Sequence, residues 1–190
     1  MNLAPTPSQT IGPFFHFCLT TDACLGQMAG ESAKGERLKL MCRLLDGDGA
    51  PVNDAAIELW QADAGGKYNH PEDIRHAGAD PAFRGFGRLA TDGNGACVFE
   101  TVRPGRVPDA GGAPQAPHIN VSIFARGLLR RLFTRIYFDG DPANGEDPVL
   151  SLVPEERRGT LLARADPGEE SRWEFEIRLC CENETVFFDI

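Results

Sequence analysis

In the stretch Trp173-Glu174-Phe175-Glu176-Ile177-Arg178-Leu179 every second side chain is apolar. Successive side chains of an extended chain point to opposite faces, so this pattern sets a strand with one face dry and the other charged. Wound into a helix, the same residues would spread around the whole circumference. Comparable runs occur at Leu38 to Leu45, Ala56 to Gln61, Gly87 to Thr91, Ala96 to Val102, His118 to Arg126, Leu132 to Phe138 and Glu184 to Ile190. Turn-forming residues separate them. Asp46-Gly47-Asp48-Gly49 follows one run, and Asp92-Gly93-Asn94-Gly95 lies between two others, where a hairpin is expected. Seven or eight short strands joined by polar turns predict an all-β chain folded as a β-sandwich.

Helix is scarce. Pro154-Glu155-Glu156-Arg157-Arg158, continuing into Leu161-Leu162-Ala163, predicts one short helix with proline at its start and acids in its first turn. Two long stretches without a period, Ala62 to Phe86 and Arg103 to Pro117, are rich in Gly, Pro, Asp and Ala. Loops this long in a compact domain build sites or interfaces. Residues 1–35 read as an irregular N-terminal arm, and its cluster Phe14-Phe15-His16-Phe17 is too apolar to stand in water alone.

A chain of 190 residues, 42% hydrophobic, is long enough for one filled core and short for two, so a single domain over 1–190 is expected. Its first residues show neither a basic n-region nor an apolar h-region, and no apolar run approaches bilayer length, which predicts a cytoplasmic protein. Cys18, Cys24, Cys42, Cys97, Cys180 and Cys181 include no CxxC pair, so reduced thiols are expected rather than a disulfide framework or a structural zinc site. A net charge of −9 argues against nucleic acid as a partner. An anionic small molecule would need a local concentration of positive charge, and Arg126, Arg130, Arg131 and Arg135 share one expected hairpin.

Metal chemistry is half-present. In Ala116-Pro117-His118-Ile119-Asn120 positions 118 and 120 face the same side of an expected strand, downstream of Gly66-Lys67-Tyr68-Asn69-His70. His118 has a metal-binding side chain, and Asn120 is a poor substitute for one. An independent metalloenzyme drawing on His16, His70, His76 or His118 gains little support, because no histidine pair has the spacing of a ligand pair.

Several segments, in order along the chain, resemble the intradiol ring-cleaving dioxygenases. They are the arm Thr6-Pro7-Ser8-Gln9-Thr10-Ile11-Gly12-Pro13-Phe14-Phe15, the strand and loop Ile57-Glu58-Leu59-Trp60-Gln61-Ala62-Asp63-Ala64-Gly65-Gly66-Lys67-Tyr68, and Phe86 to Gly95. The turn Val102-Arg103-Pro104-Gly105 and the strand Ala116 to Ser122 complete the set. Members that hold Fe(III) use two tyrosines and two histidines, since phenolate oxygen stabilises the ferric state and imidazole leaves room for a catechol. The resemblance places these four at Tyr68, about Val107, His118 and Asn120. Valine offers no donor atom and asparagine only a neutral one, so the iron is expected on a homologous partner, a beta subunit, rather than on this chain. The form APHIN and the terminus Glu184-Thr185-Val186-Phe187-Phe188-Asp189 are similar to the metal-free alpha chains of family members that act on protocatechuate (3,4-dihydroxybenzoate) with O2. By that likeness Thr10, Gly12, Pro13, Phe14 and Arg126 would line the substrate pocket of an αβ hetero-oligomer. The resemblance implies no catalytic acid or base here; the product would be 3-carboxy-cis,cis-muconate. A ligand-binding or assembly module on the same sandwich is the competing expectation.

Overall fold

The computed structural model describes residues 7–169 and 171–189, without the side chains of Pro13, Phe14 and His16. Eight strands form, all but β7 on expected runs: β1 (Arg37–Leu45), β2 (Ala56–Trp60), β3 (Phe86–Ala90), β4 (Ala96–Val102), β5 (His118–Phe124), β6 (Leu132–Phe138), β7 (Leu162–Ala165) and β8 (Arg172–Arg178). They pair in the order β3-β2-β5-β6-β7-β8-β1-β4, antiparallel except at β6–β7 and β1–β8. Only Tyr137↔Leu162 and Phe138↔Ala163 join β6 to β7. That narrow seam lets the sheet fold into two four-stranded halves facing each other, the β-sandwich expected.

Alternation decides the interior. Leu38, Leu40, Cys42 and Leu44 of β1 share one core with Trp173, Phe175 and Ile177 of β8, Ile57 and Leu59 of β2, Ile119, Val121 and Ile123 of β5, and Ile136 and Phe138 of β6. These are every-second residues of their strands, so one sequence period accounts for one buried face. A smaller cluster of Ala116, Tyr137, Leu150, Val153 and Leu161 fills the far side of β6.

Four local expectations fail, each for a tertiary reason. Asp92 to Gly95 makes the tight turn foreseen, with Asp92 N donating to Ala96 O at 2.8 Å, yet no hairpin ladder follows. Instead β3 pairs with β2 and β4 with β1, so the turn carries the chain from one half of the sandwich to the other. Leu162 and Ala163 lie in β7 rather than in the helix α2, which spans only Glu155–Arg158 and stops at Gly159. The open edges of β6 and β8 supply backbone partners there that outweigh helix propensity. Glu184 to Asp189 forms no strand; the segment follows β6 with Phe188 N donating to Phe133 O at 2.8 Å and Thr134 Oγ1 donating to Val186 O at 2.7 Å. Its apolar side chains insert into both cores without a ladder. The arm is not wholly irregular either. Pro13 opens a helix, α1 (Pro13–Leu19), at the position where its fixed φ and missing N–H cost nothing. Phe15 packs on Phe124 with ring centroids 5.1 Å apart, whereas Phe17 remains 66% exposed.

Candidate functional site

The outer face of the half-sheet β3-β2-β5-β6 carries the functional side chains in rows set by strand register. Phe86, Trp60, Asn120 and Arg135 are successive cross-strand partners, and the next row holds Arg88, Glu58, Ser122 and Phe133. Arg88 Nε donates to Glu58 Oε1 at 2.7 Å. Trp60, Phe86, Asn120, Ser122, Arg131 and Phe133 border a shallow pocket of about 280 Å³.

Two interlocked loops reach over the end of this face. Asp63 organises the first: its Oδ1 accepts from Gly65 N and Lys67 N at 2.8 and 3.0 Å, and its Oδ2 accepts from Asp80 N at 2.8 Å. Gly66 has φ +72°, and a Cβ there would stand 2.0 Å from Arg106 O. Only glycine allows that crossing. Gly105 of the second loop is equally confined, with its Cβ position 2.5 Å from Gly66 N. The loops therefore hold Tyr68 beside Trp60, ring centroids 5.6 Å apart and nearly parallel, and bury Val107.

His118 at the end of β5 is 4% exposed. Its Nδ1 lies 2.8 Å from Ala116 O, an atom that only accepts, so Nδ1 bears the proton of the neutral ring. Burial lowers its pKa to about 4, and the Arg135 guanidinium pushes the same way. Burial also raises the Tyr68 phenol above its ordinary range, against Arg135 and a hydrogen bond with Asn120, which pull it down. Arg135 donates to Gln115 Oε1 at 2.7 Å and lies 3.5 Å from Tyr137 Oη. Tyr137 in turn donates to Asp147 Oδ1 at 3.1 Å. Asp147 also accepts from the backbone N–H groups of Ala116, Val149 and Leu150 at 2.7 to 2.9 Å, so this buried carboxylate is fully satisfied.

Tyr68 and Asn120 are in hydrogen-bond contact, His118 lies two positions from Asn120 on β5 and Val107 is buried in the second loop, and these side chains do not fit a ferric ion. Val107 has no donor atom, Asn120 offers only a neutral one and is hydrogen-bonded to Tyr68, and the Arg135 guanidinium acts on both Tyr68 and His118. Among the described residues no group of three or more His, Cys, Asp and Glu could hold a metal ion. His70 and His76 stand apart, His70 edge-on to Trp60 and His76 against Asp73 O; His16 lies outside the described side chains.

The arm residues gather elsewhere. Thr10 Oγ1 accepts from Gly127 N at 2.8 Å, next to Arg126, which forms an ion pair with Asp54 and is 76% exposed in its side chain. Gly12 has nothing within 4 Å of where a Cβ would stand. The expected roles of Pro13 and Phe14 fall on side chains outside those described. Phe15 rests on Phe124, six residues along β5 from His118, roughly 20 Å away at the rise of a strand. Sequence reasoning did not single out Asp63, Gln115, Tyr137 or Asp147. The one available signal was Asp147 before Pro148, a turn-initiating pair.

Comparison with known proteins accords with this arrangement. The family model described as Dioxygenase matches residues 11–181. A protocatechuate 3,4-dioxygenase alpha chain of Pseudomonas putida is 42% identical over 200 residues, covering 98% of this chain and 97% of the relative. A protocatechuate 3,4-dioxygenase beta chain of Burkholderia cepacia is 36% identical, covering 90% of this chain and 74% of the relative. The solved intradiol ring-cleavage dioxygenase of Tetranychus urticae superposes with a TM-score of 0.63 at 22% identity, over 93% of this chain and 94% of that one, a likeness of fold. Among the described residues no helix is long and apolar enough to cross a membrane. Matched by that family model over residues 11–181 and by the alpha-chain relative along nearly its whole length, the chain belongs to the intradiol ring-cleaving dioxygenase family.

Proposed function

We propose that this chain is the alpha subunit of a protocatechuate 3,4-dioxygenase, bearing no iron and completing the active-site pocket of a homologous, Fe(III)-holding beta subunit. The enzyme would cleave 3,4-dihydroxybenzoate with O2 to 3-carboxy-cis,cis-muconate in the cytoplasm. The observation that carries this reading is the separation of the two residue sets: Thr10, Gly12 and Arg126 lie at the opposite end of β5 from Tyr68, His118 and Asn120. A pocket lined by the arm is therefore not the pocket built around this chain's own ligand positions. It would belong to a neighbour.

In that neighbour's pocket Thr10, Gly12, Pro13 and Phe14 would form a wall. Gly12, open on its Cβ side and without a left-handed φ, lets the substrate ring approach the backbone closely. Arg126 would turn from Asp54 to the ring carboxylate, where its planar fork makes two charge-assisted hydrogen bonds. Orientation of this kind matters because a displacement of about 1 Å can cost ~100-fold in rate.

Expression with and without a beta partner tests the assignment. The chain alone should hold no stoichiometric iron and cleave no ring, and both iron and turnover should arise in the αβ complex. Gly12→Phe should lower turnover of that complex without changing its iron content. Ring cleavage by the lone chain would refute the division of labour.

A further inference from the structure

Beyond β8 the chain reverses within a few residues. Leu179 N donates to Leu45 O and Thr185 N to Arg178 O, both at 3.0 Å, and Glu184 N donates to Cys181 O at 3.2 Å. Arg178 N donates to Thr185 Oγ1 at 3.0 Å. The reversal takes Cys181 and Asn183 into left-handed backbone, φ +73° and +61°. Side chains other than glycine keep that conformation only where neighbouring contacts hold it.

At the tip of this pinned turn the adjacent residues Cys180 and Cys181 present Sγ atoms 3.1 Å apart, both exposed. Gly47 lies beneath them; a Cβ at that position would stand 3.3 Å from both Cys180 Cβ and Cys181 Sγ. The hydrogen bond with Cys180 and, more weakly, the nearby carboxylates of Asp48 and Glu184 raise the Cys181 thiol above its ordinary value. A direct disulfide is disfavoured on geometry. Neighbouring Cα atoms are about 3.8 Å apart, inside the roughly 4.4 Å minimum of ordinary disulfides. A larger atom set between the sulfurs removes that strain. No further ligand is at hand, since among the described residues no group of three or more His, Cys, Asp and Glu could hold a metal ion.

We propose that Cys180 and Cys181 form a two-thiol chelating site for a soft, trivalent thiophile of the monosubstituted arsenical class, which needs two sulfurs and no more. Each sulfur forms one bond to arsenic. The two thiol protons leave with the oxygen of the arsenical as one water, and no electrons are transferred. Chelation by two sulfurs on one rigid turn makes the second bond intramolecular, so the adduct resists competition by single thiols.

Phenylarsine oxide added to the reduced full-length chain is the probe. Intact mass should show one adduct with two thiols protected, stripped by 2,3-dimercaptopropanol and not by an equal thiol concentration of 2-mercaptoethanol. Cys180→Ser and Cys181→Ser should each weaken retention by about 100-fold, the loss of one arm of a chelate. Cys18→Ser and Cys24→Ser, at the other exposed thiols, should leave it unchanged. Peptide mapping of the wild-type adduct gives a second reading that needs no variant, and the arsenic should sit on the peptide holding both residues. Absence of an adduct, removal by the monothiol, retention in both serine variants or mapping to another peptide each overturns the proposal.

Discussion

Thr10 Oγ1 and Gly127 N, 117 positions apart in the chain, meet at 2.8 Å and tie the N-terminal arm to the turn that follows β5. The bond is exposed, so its net worth is about 1 kcal/mol or less. Its effect is local: it fixes where Gly12 and the start of α1 stand relative to Arg126. Thr10→Val should leave the urea midpoint of the chain nearly unchanged while speeding proteolytic cleavage within residues 7–19. Thr10→Ser should restore protection. Equal cleavage rates in all three proteins would show that the tether does not order the arm.

Gly66 allows the two long loops to cross. A Cβ at this position meets Arg106 O at 2.0 Å, on a backbone already at φ +72°. Left-handed backbone alone costs a non-glycine residue about 1–2 kcal/mol, and the contact with a carbonyl adds to it. Gly66→Ala should therefore destabilise by about 3 kcal/mol or more in denaturant unfolding, with altered fluorescence from the Trp60–Tyr68 stack. Gly12→Ala, where the added methyl meets nothing, is the control and should change stability by less than about 0.5 kcal/mol.

Asp147 accepts one phenol and three backbone N–H groups in a buried setting. Each buried donor left unsatisfied costs about 1–3 kcal/mol. Asp147→Ala should lower the free energy of unfolding by about 3–5 kcal/mol, with Asp147→Asn intermediate because it keeps one acceptor oxygen. A loss under about 1 kcal/mol for the alanine variant would mean that water replaces the carboxylate.

His118 gives the fold a signed pH dependence. In the unfolded chain the ring takes a proton below about pH 6.5, as an ordinary histidine does. In the native protein it does so only at about 4, chiefly because it is buried. Between these values the unfolded state binds more protons, so stability is unaffected above pH 6.5 and falls as pH drops toward 4. The loss attributable to this one residue is of the order of 3 kcal/mol. His118→Asn, compared with the parent at each pH by denaturant unfolding, should remove that slope. A parallel pair of curves would place the proton uptake elsewhere.

Arg135 contributes to the same shift. Removing its charge in Arg135→Met should raise the His118 titration midpoint, because the guanidinium is the second cause holding it down. It should also raise the Tyr68 phenol further, because there the guanidinium opposes burial. Ring-proton NMR titration of His118 and ultraviolet titration of tyrosine read the two movements. Opposite shifts would deny that this cation acts on both ligand positions.

Much of this was legible in the residues because a period of two in hydrophobicity has one physical solution, a strand with a buried face. Seven of the eight expected strands stand within a residue or two of their limits, and that Val107 carries no donor atom and Asn120 only a neutral one is a matter of side-chain chemistry alone. What eluded the sequence depends on partners far away along the chain. The turn at Asp92 is a local fact, but whether β3 and β4 pair is decided by β1 and β2 competing for their edges. Leu162 and Ala163 have the propensity for helix, yet two open strand edges made them β7.

The candidate site divides along the same line. The amino-acid order by itself determined which donor atoms exist, since no folding turns valine or asparagine into phenolate or imidazole. Only the tertiary structure decided that Arg135 acts on the remaining Tyr68 and His118, that Asp147 ties Tyr137 to the backbone at Ala116, and that Thr10 and Gly12 gather at the other end of β5. Those placements follow from strand register and from two loops crossing at Gly66, relations between distant residues that no local pattern encodes.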